Sequence, residues 1–267
     1  GSGGDEMTGS KQIGYARSGA VATVTIDRPE KRNALALRTV EELGSAIARA
    51  DGDAEVRVVV LTGAGEGAFA SGADLDELPR ALESPAAAAD YDARVGALYD
   101  ALQGSRLPIV ARIQGHAIGG GCLLALACDL RVAREAVAIA FPVSRIGLML
   151  SPREHRLLVD QVGPSRAKLL LFTGRRLTAR EAAEWNLVDV VAAEDAFDVV
   201  VDGLVEEIAA GAPLALKASK RLVDAARSGY EAAETAAACY REVYGSEDLR
   251  EGLAAVAERR TPVFRGR

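Results

Sequence analysis

The feature that most constrains the fold is a short, uninterrupted run of apolar residues, Val58-Val59-Val60-Leu61. It is entered through Val56-Arg57 and ends at Thr62-Gly63-Ala64-Gly65. A strand with one face in water alternates apolar and polar residues, whereas this run does not alternate, so both of its faces must be covered. A parallel sheet with helices on both sides meets that condition. The run therefore predicts an α/β fold.

Other segments fit the same fold class. A hairpin is predicted over Ile13 to Arg17 and Ala20 to Ile26, and a second buried strand over Leu107 to Ile113. Helical spacing begins at Leu37, and helical sequence fills most of Arg80 to Gln103. Further short strands are predicted at Leu130 to Val132 and Val137 to Phe141.

Beyond Pro152 the pattern becomes mainly helical. The predicted helices there are Arg156 to Val162, Pro164 to Phe172, Ala179 to Trp185, Ala196 to Ala209, Pro213 to Ala226 and Glu231 to Ala257. Strands alternating with helices, followed by helices alone, indicate a sheet core with a helical C-terminal layer. We expect an expression tag at residues 1–6, the core at residues 7–200 and the helical layer at residues 201–267.

Composition excludes several classes of function. The formal net charge of −6 argues against nucleic acid or an anionic membrane as the main partner. Cys122, Cys128 and Cys239 form no CxxC pair, and two histidines are too few for a His-rich site, so no metal is expected. Neither a membrane span nor a signal-peptide layout is found in the sequence. These features predict a cytoplasmic, globular protein.

A run of three glycines, Gly119-Gly120-Gly121, stands between a strand end and an apolar helix. Such a junction exposes backbone N–H groups at the positive end of a helix, where anionic charge can sit. Glycine also allows a ligand to approach the backbone closely. The alternative is a tight strand-to-helix turn that binds nothing.

Four segments, in order, give the glycine run a more specific meaning. They are Asp27 to Leu35, Phe69 to Leu75, Gly115 to Asp129 and Leu170 to Leu177. Together they resemble the signatures of the crotonase (enoyl-CoA hydratase/isomerase) family, with matching order and approximate spacing from about Gly14 to Arg260. The resemblance implies a spiral core of ββα units with a helical trimerisation layer, and a homotrimer or homohexamer. It also implies a coenzyme A thioester as substrate or ligand, with no other cofactor.

The resemblance implies where a thioester would bind. The backbone N–H groups of Ala73 and Gly120 fall at the positions that clamp the acyl carbonyl and stabilise the oxyanion formed from it. By the same match, coenzyme A would contact Lys31, Arg32, Ala34, Asp74, Leu75, Asp76 and Phe264. Lys31 and Arg32 have an alternative explanation as part of a solvated basic turn. Asp74 has an alternative explanation as the N-terminal cap of a helix.

The two catalytic glutamates of hydratases in this family are absent from the matching positions, which hold Leu123 and Val143. Hydration needs one carboxylate to position water and another to handle the α-proton, and alkyl side chains can do neither. General acid–base groups contribute about 10²–10⁴-fold each, so a poor 2-enoyl-CoA hydratase is predicted.

Other residues near the predicted pocket are candidates for the missing chemistry. Ser144 follows the second missing glutamate, and His155 has the side-chain type that most often transfers protons in enzymes. Each has a plainer explanation: Ser144 as a serine bonded to backbone at a strand end, and His155 as a solvent-facing residue at a helix start. The wider set of polar candidates includes Tyr91 and Glu154, and Tyr91 and Tyr99 are the aromatic residues of the helix expected to line the acyl tunnel.

Three hypotheses remain at this point. The first is an acyl-CoA enzyme of the lyase/isomerase class with non-standard acid/base residues. The second is a non-catalytic fatty acyl-CoA-binding protein, for which an apolar pair at Leu123 and Val143 is suitable because it leaves no unsatisfied charge beside the acyl chain. The third is an ordinary hydratase whose acids lie at other positions.

Overall fold

The computed structural model describes residues 11–227 and 233–267. The predicted tag at residues 1–6 and the predicted helix start at Glu231 lie outside these ranges. Ten strands of the described chain form two sheets. The larger sheet has the order β1-β2-β3-β5-β7-β10, with β1 and β2 antiparallel and all other neighbours parallel. Its strands are β1 (Ile13–Ser18), β2 (Val21–Ile26), β3 (Val58–Gly63), β5 (Ile109–Ile113), β7 (Leu130–Arg134) and β10 (Val190–Ala192).

The apolar run that predicts a parallel sheet forms the buried strand β3, in which every residue is buried. Val59 and Leu61 face the main core, whereas Val58 and Val60 pack with Phe197 on the opposite side of the sheet. Both faces of the strand are therefore covered, as predicted, and the α/β class is confirmed.

A smaller sheet carries the site region. Its order is β4-β6-β8-β9, with β8 and β9 antiparallel and the other neighbours parallel. Each strand has only three residues: β4 (Ala68–Ala70), β6 (His116–Ile118), β8 (Ala138–Ala140) and β9 (Arg176–Thr178). The sequence predicted β8 but not β4, β6, β9 or β10, because three residues are too few to establish an alternation.

The helices surround the two sheets. They are α1 (Leu37–Gly52), α2 (Leu78–Ala81), α3 (Pro85–Gly104), α4 (Gly120–Ala127), α5 (Pro152–Thr173), α6 (Ala179–Glu184), α7 (Phe197–Ala210), α8 (Pro213–Arg227), α9 (Ala233–Tyr244) and α10 (Glu247–Glu258). Short 3₁₀ helices span Pro29–Lys31 and Pro142–Ile146. Within the described ranges, no helix combines the length and apolarity needed to cross a membrane.

The C-terminal helices differ from the prediction in one place. The helix predicted from Glu231 to Ala257 is wrong, because the chain breaks after α9 and Ser246 caps the start of α10 by accepting a hydrogen bond from Leu249 N–H. The helices predicted on either side of Gly163 are both present within the range of α5, because Gly163 has non-helical dihedral angles (φ 76°, ψ 167°) that divide the range into two helical stretches. The boundary expected at residue 200 falls within α7, which packs against the larger sheet.

Candidate active site

A pocket lies where the N-terminus of α4 meets the loop after β4. Its wall includes the four positions that the family resemblance selects: Ala73, Gly120, Leu123 and Val143. Helix α3, the 3₁₀ turn Pro142–Ile146 and the start of α5 form the remaining sides. The fold thus brings together segments that are far apart in sequence.

The backbone of Ala73 is held so that its N–H is free. Leu35 N–H donates to the carbonyl of Gly72 (2.8 Å), and Asp74 N–H donates to the carbonyl of Leu35 (3.3 Å). Because successive backbone groups of an extended segment point in opposite directions, the Ala73 N–H points away from Leu35. It donates a hydrogen bond to no residue that the structure describes.

The Gly120 N–H likewise donates a hydrogen bond to no residue within the described ranges. Gly120 is the first residue of α4, where a backbone N–H has no partner inside the helix. A Cβ built on Gly120 would lie 3.6 Å from the Ala73 nitrogen, so the two segments are adjacent. The arrangement places two hydrogen-bond donors side by side at a helix N-terminus.

The neighbouring glycines are needed for packing. A Cβ on Gly121 would lie 2.0 Å from the carbonyl oxygen of Ala70, so only glycine allows α4 to approach β4. Gly72 has φ 95°, which a side chain strains, and a Cβ there would lie 3.0 Å from the Ile118 oxygen. At Gly120, by contrast, a Cβ would make only ordinary contacts. Packing therefore explains Gly72 and Gly121, whereas it does not require a glycine at Gly120.

The two positions at which the family resemblance leads one to expect glutamates, Leu123 and Val143, have apolar surroundings. Leu123 is completely buried, one turn of α4 after Gly120. Val143 is half-buried in the 3₁₀ turn and packs against the main core. Both alkyl side chains line the pocket, and neither can transfer a proton.

Ser144 and His155 lie outside the pocket wall, and both are exposed. The Ser144 hydroxyl donates to the carbonyl of Phe172 at 3.4 Å. The Nδ1 atom of His155 lies 3.0 Å from the carbonyl oxygen of Ser151, in the first turn of α5. The solvent-facing alternative for His155 agrees with this placement.

Asp74 anchors the loop that carries Ala73. Its carboxylate accepts a hydrogen bond from Arg28 at 2.8 Å and one from the Asp76 N–H at 3.1 Å. Burial raises the pKa of Asp74, but the hydrogen bonds from Arg28 and Asp76 and the charge of Arg28 outweigh it, so that the pKa lies below its usual value. Asp74 is thus a structural ion-pair partner of Arg28.

The other residues expected to contact coenzyme A fall into two places. Lys31 pairs with Asp76 at the exposed surface (2.7 Å), and the Arg32 carbonyl accepts from the N–H of Ser71, a pocket residue. Leu75 also lines the pocket, while Ala34 is buried beneath it. Phe264 lines a different pocket, and its carbonyl accepts a hydrogen bond from Arg57. Within one chain, Phe264 is therefore apart from the Ala73 and Gly120 donors.

The pocket also contains polar residues on α3 and at the start of α5. They are Tyr91, Asp92, Tyr99 and Glu154. The Tyr99 hydroxyl donates to Glu154 Oε1 at 3.2 Å, and the Ser151 N–H donates to Glu154 Oε2 at 2.8 Å. Burial and the Glu154 charge raise the pKa of Tyr91 to about 12 and that of Tyr99 well above its usual value, so both remain protonated.

Sequence reasoning missed Asp92 and did not single out Glu154. Burial raises the pKa of Asp92. Glu154 stands three residues after the cap Ser151, which is the spacing of a capping box, and the structure contains that box. Glu154 was one of the wider set of polar candidates near the predicted pocket, but its capping-box spacing offered a local explanation, so the sequence did not favour it over Ser144 and His155.

The described residues contain no group of three or more His, Cys, Asp or Glu side chains placed to hold a metal ion. The side chains and backbone groups of the pocket offer three kinds of interaction. Two adjacent N–H donors can stabilise negative charge on an oxygen. Apolar walls can hold a hydrocarbon chain, and the polar residues of α3 and α5 can exchange protons.

Comparison with known proteins gives a consistent result. The chain is 38% identical over 255 residues to the "Probable enoyl-CoA hydratase echA6" of Mycobacterium tuberculosis, covering 95% of this chain and 99% of that protein. It is 34% identical to the carnitinyl-CoA dehydratase of Proteus mirabilis, covering 97% and 100% of the two chains. The crystal structure of an enoyl-CoA hydratase/carnithine racemase from Magnetospirillum magneticum superimposes with a TM-score of 0.91 at 35% identity, covering 97% of each chain.

These matches confirm the crotonase fold that the sequence predicted. A family model described as enoyl-CoA hydratase/isomerase matches residues 16–267, almost all of the described chain. The chain belongs to the enoyl-CoA hydratase/isomerase (crotonase) family.

Proposed function

We propose that the pocket binds an acyl-CoA thioester with its carbonyl oxygen between the N–H groups of Ala73 and Gly120. The observation that carries the proposal is a pair of adjacent N–H groups, without a hydrogen-bond acceptor among the described residues, at a mainly apolar pocket in a member of this family. Charge that develops on the thioester oxygen when the α-carbon is deprotonated would be stabilised there. Loss of one such donor typically costs about 2.7–4 kcal/mol in the transition state.

The protein is proposed to be a lyase/isomerase-class enzyme that hydrates 2-enoyl thioesters poorly. Leu123 and Val143 support this, because they present alkyl groups where water and the α-proton would have to be handled. Coenzyme A is proposed to extend past Leu75 towards Lys31, Arg32 and Asp76. No cofactor other than the thioester itself is proposed.

A non-catalytic acyl-CoA-binding protein is the second candidate. It is favoured by the same two alkyl side chains, which make an apolar wall that leaves no uncompensated charge beside an acyl chain. The two candidates share the thioester clamp and differ only in whether a proton is transferred after binding.

The C-terminal helices are proposed to pack between subunits of a homotrimer or homohexamer. Large apolar side chains are exposed on α9 and α10, among them Tyr240, Tyr244, Leu253 and Val256. Burial of such side chains against other copies would remove apolar surface from water. The molecular mass in solution, measured by light scattering, tests this proposal, and a monomer would contradict it.

The clamp can be tested with a matched pair of substitutions at Gly120. Gly120→Pro removes the N–H at a first helical position, where proline is well tolerated. Gly120→Ala keeps the N–H and adds a Cβ that makes ordinary contacts. The readout is the red shift of the enoyl-thioester absorbance on binding, which reports polarisation of the carbonyl. We expect the shift in the wild type and in Gly120→Ala and its loss in Gly120→Pro, and an equal shift in all three would refute the clamp.

A further inference from the structure

The pocket contains few groups that can accept a proton from a bound substrate. Among its described lining residues, the ionisable side chains are those of Tyr91, Asp92, Tyr99 and Glu154. The raised pKa values of the two tyrosines keep them protonated. Asp92 and Glu154 are therefore the carboxyl groups available for proton transfer.

Glu154 is held more firmly than Asp92. Each of its carboxylate oxygens accepts one hydrogen bond, from Tyr99 on α3 and from the backbone of Ser151 at the start of α5. A carboxylate can accept about four hydrogen bonds, so lone pairs remain for a proton. The Asp92 side chain has no hydrogen bond or ion pair to any residue that the structure describes, and Asp92 is exposed.

The support of Glu154 is itself buried. Tyr99 is only 2% exposed, and its hydroxyl acts as a donor because the phenol remains protonated. It holds Glu154 in the lining of the pocket that Leu123 also lines, and helix α4 of Leu123 packs against both α3 and α5. The carboxylate thus belongs to a pocket wall from which the usual acid/base side chain is absent.

We propose that Glu154 is the catalytic base for the α-proton of the bound acyl thioester, with Tyr99 as its positioning residue. This inference rests on the proposed thioester clamp. The Glu154 carboxylate takes the proton from Cα, and the C–H electron pair forms an enolate whose oxygen is held by the Ala73 and Gly120 N–H groups. The protonated Glu154 then returns the proton.

The product depends on where the proton returns. Return of the same proton to Cα of a saturated thioester restores the starting compound. In D₂O the carboxyl proton of Glu154 first exchanges with the solvent, so that the group returned to Cα is a deuteron and the α-hydrogens are replaced by deuterium. Return to the γ-carbon of a 3-enoyl thioester moves the double bond to the 2-position. Neither reaction needs water as a nucleophile or an oxidant, which agrees with a site that lacks the residues for hydration.

The experiment compares three glutamine or asparagine substitutions in the full-length protein. Glu154→Gln removes the base, while glutamine still supports a capping box. Glu181→Gln is the matched control, because Glu181 closes the equivalent capping box of α6 with Thr178 and lies outside the pocket. Asp92→Asn tests the other carboxyl group. Deuterium uptake and double-bond migration are followed by mass spectrometry with saturated and 3-enoyl thioesters from butanoyl to dodecanoyl.

We expect exchange in the wild type and in Glu181→Gln and a loss of about 100-fold or more in Glu154→Gln. Exchange that persists in Glu154→Gln, or that is lost only in Asp92→Asn, overturns the assignment. Absence of exchange in the wild type with intact thioester binding overturns it as well and leaves the clamp standing. Absence of binding refutes the proposed function itself.

The role of Tyr99 has a separate readout. Its hydroxyl donates a hydrogen bond that holds the Glu154 carboxylate, so its removal in Tyr99→Phe should slow proton transfer without weakening thioester binding. We expect a lower kcat for exchange with an unchanged KM. An unchanged kcat, or a fall in kcat matched by a rise in KM, would indicate that Tyr99 serves only packing.

Discussion

Adding one methyl group at either of the two adjacent glycines at the start of α4 is expected to have opposite effects on stability. In Gly121→Ala the new Cβ would lie 2.0 Å from the carbonyl oxygen of Ala70, against backbone that cannot rotate away. Helix α4 and strand β4 would have to separate by about 1 Å or more. In Gly120→Ala the nearest atoms lie 3.5 and 3.6 Å away, which is ordinary contact.

The magnitude follows from two opposing terms. Overpacking against rigid backbone costs about 3 kcal/mol. The better helix propensity of alanine recovers about 1 kcal/mol. A net loss of about 2 kcal/mol lowers the melting temperature of a chain of this length by about 4–8 °C. Gly120→Ala meets no clash, so its melting temperature is expected to stay the same or rise slightly.

Differential scanning calorimetry of the wild type and both variants, at one protein concentration, measures the difference. Gly120→Ala serves as the control for Gly121→Ala, because it adds the same methyl group at the neighbouring position without the clash. Equal melting temperatures for Gly121→Ala and Gly120→Ala would refute the argument that the close approach of α4 to β4 requires a glycine at position 121.

Three further predictions concern charge, thiol reactivity and hydration. Arg28→Ala leaves the buried Asp74 carboxylate without its partner and is expected to cost about 3 kcal/mol of stability in denaturant unfolding. Because the pKa of Asp74 is lowered in the folded state, the stability difference between the wild type and Arg28→Ala should be fully present at pH 7 and shrink as the pH falls below about 4, and a difference that stays the same below pH 4 would contradict the assignment. Burial raises the pKa of the Cys122 thiol to about 12, so a disulfide reagent at pH 8 should leave it unmodified until the protein unfolds, as mass mapping would show. Leu123→Glu combined with Val143→Glu should add hydration of 2-enoyl thioesters, about 10²–10⁴-fold per working carboxylate, and a folded double variant without hydration would show that the apolar pair is not the reason for poor hydration.

Much of the fold could be predicted because its signals are local. The uninterrupted apolar run of β3 required two covered faces, and the structure provides them with Val59 and Leu61 on one side and Val58 and Val60 on the other. The three-residue strands of the smaller sheet could not be predicted. Ala68–Ala70 is a strand because it pairs with β6, and its three residues are all buried, so no alternation exists in its sequence.

Some residues of the candidate site could be predicted from the sequence and others could not. Ala73 and Gly120 were identified from their motifs, and the structure places both at one pocket. Ser144 and His155 were selected for their chemistry, yet they lie outside the pocket wall, because the 3₁₀ turn and the first turn of α5 direct them to the surface. Exposure of a side chain in a turn depends on what packs against that turn.

The sequence by itself determined the family, the α/β class and the alkyl side chains at Leu123 and Val143. These are properties of residue type and spacing, which do not depend on what lies nearby. Only the tertiary structure decided that Glu154, a capping residue of α5, lines the pocket and accepts a hydrogen bond from Tyr99 of α3. The two residues are 55 positions apart, and the contact exists because α3 and α5 both pack against α4.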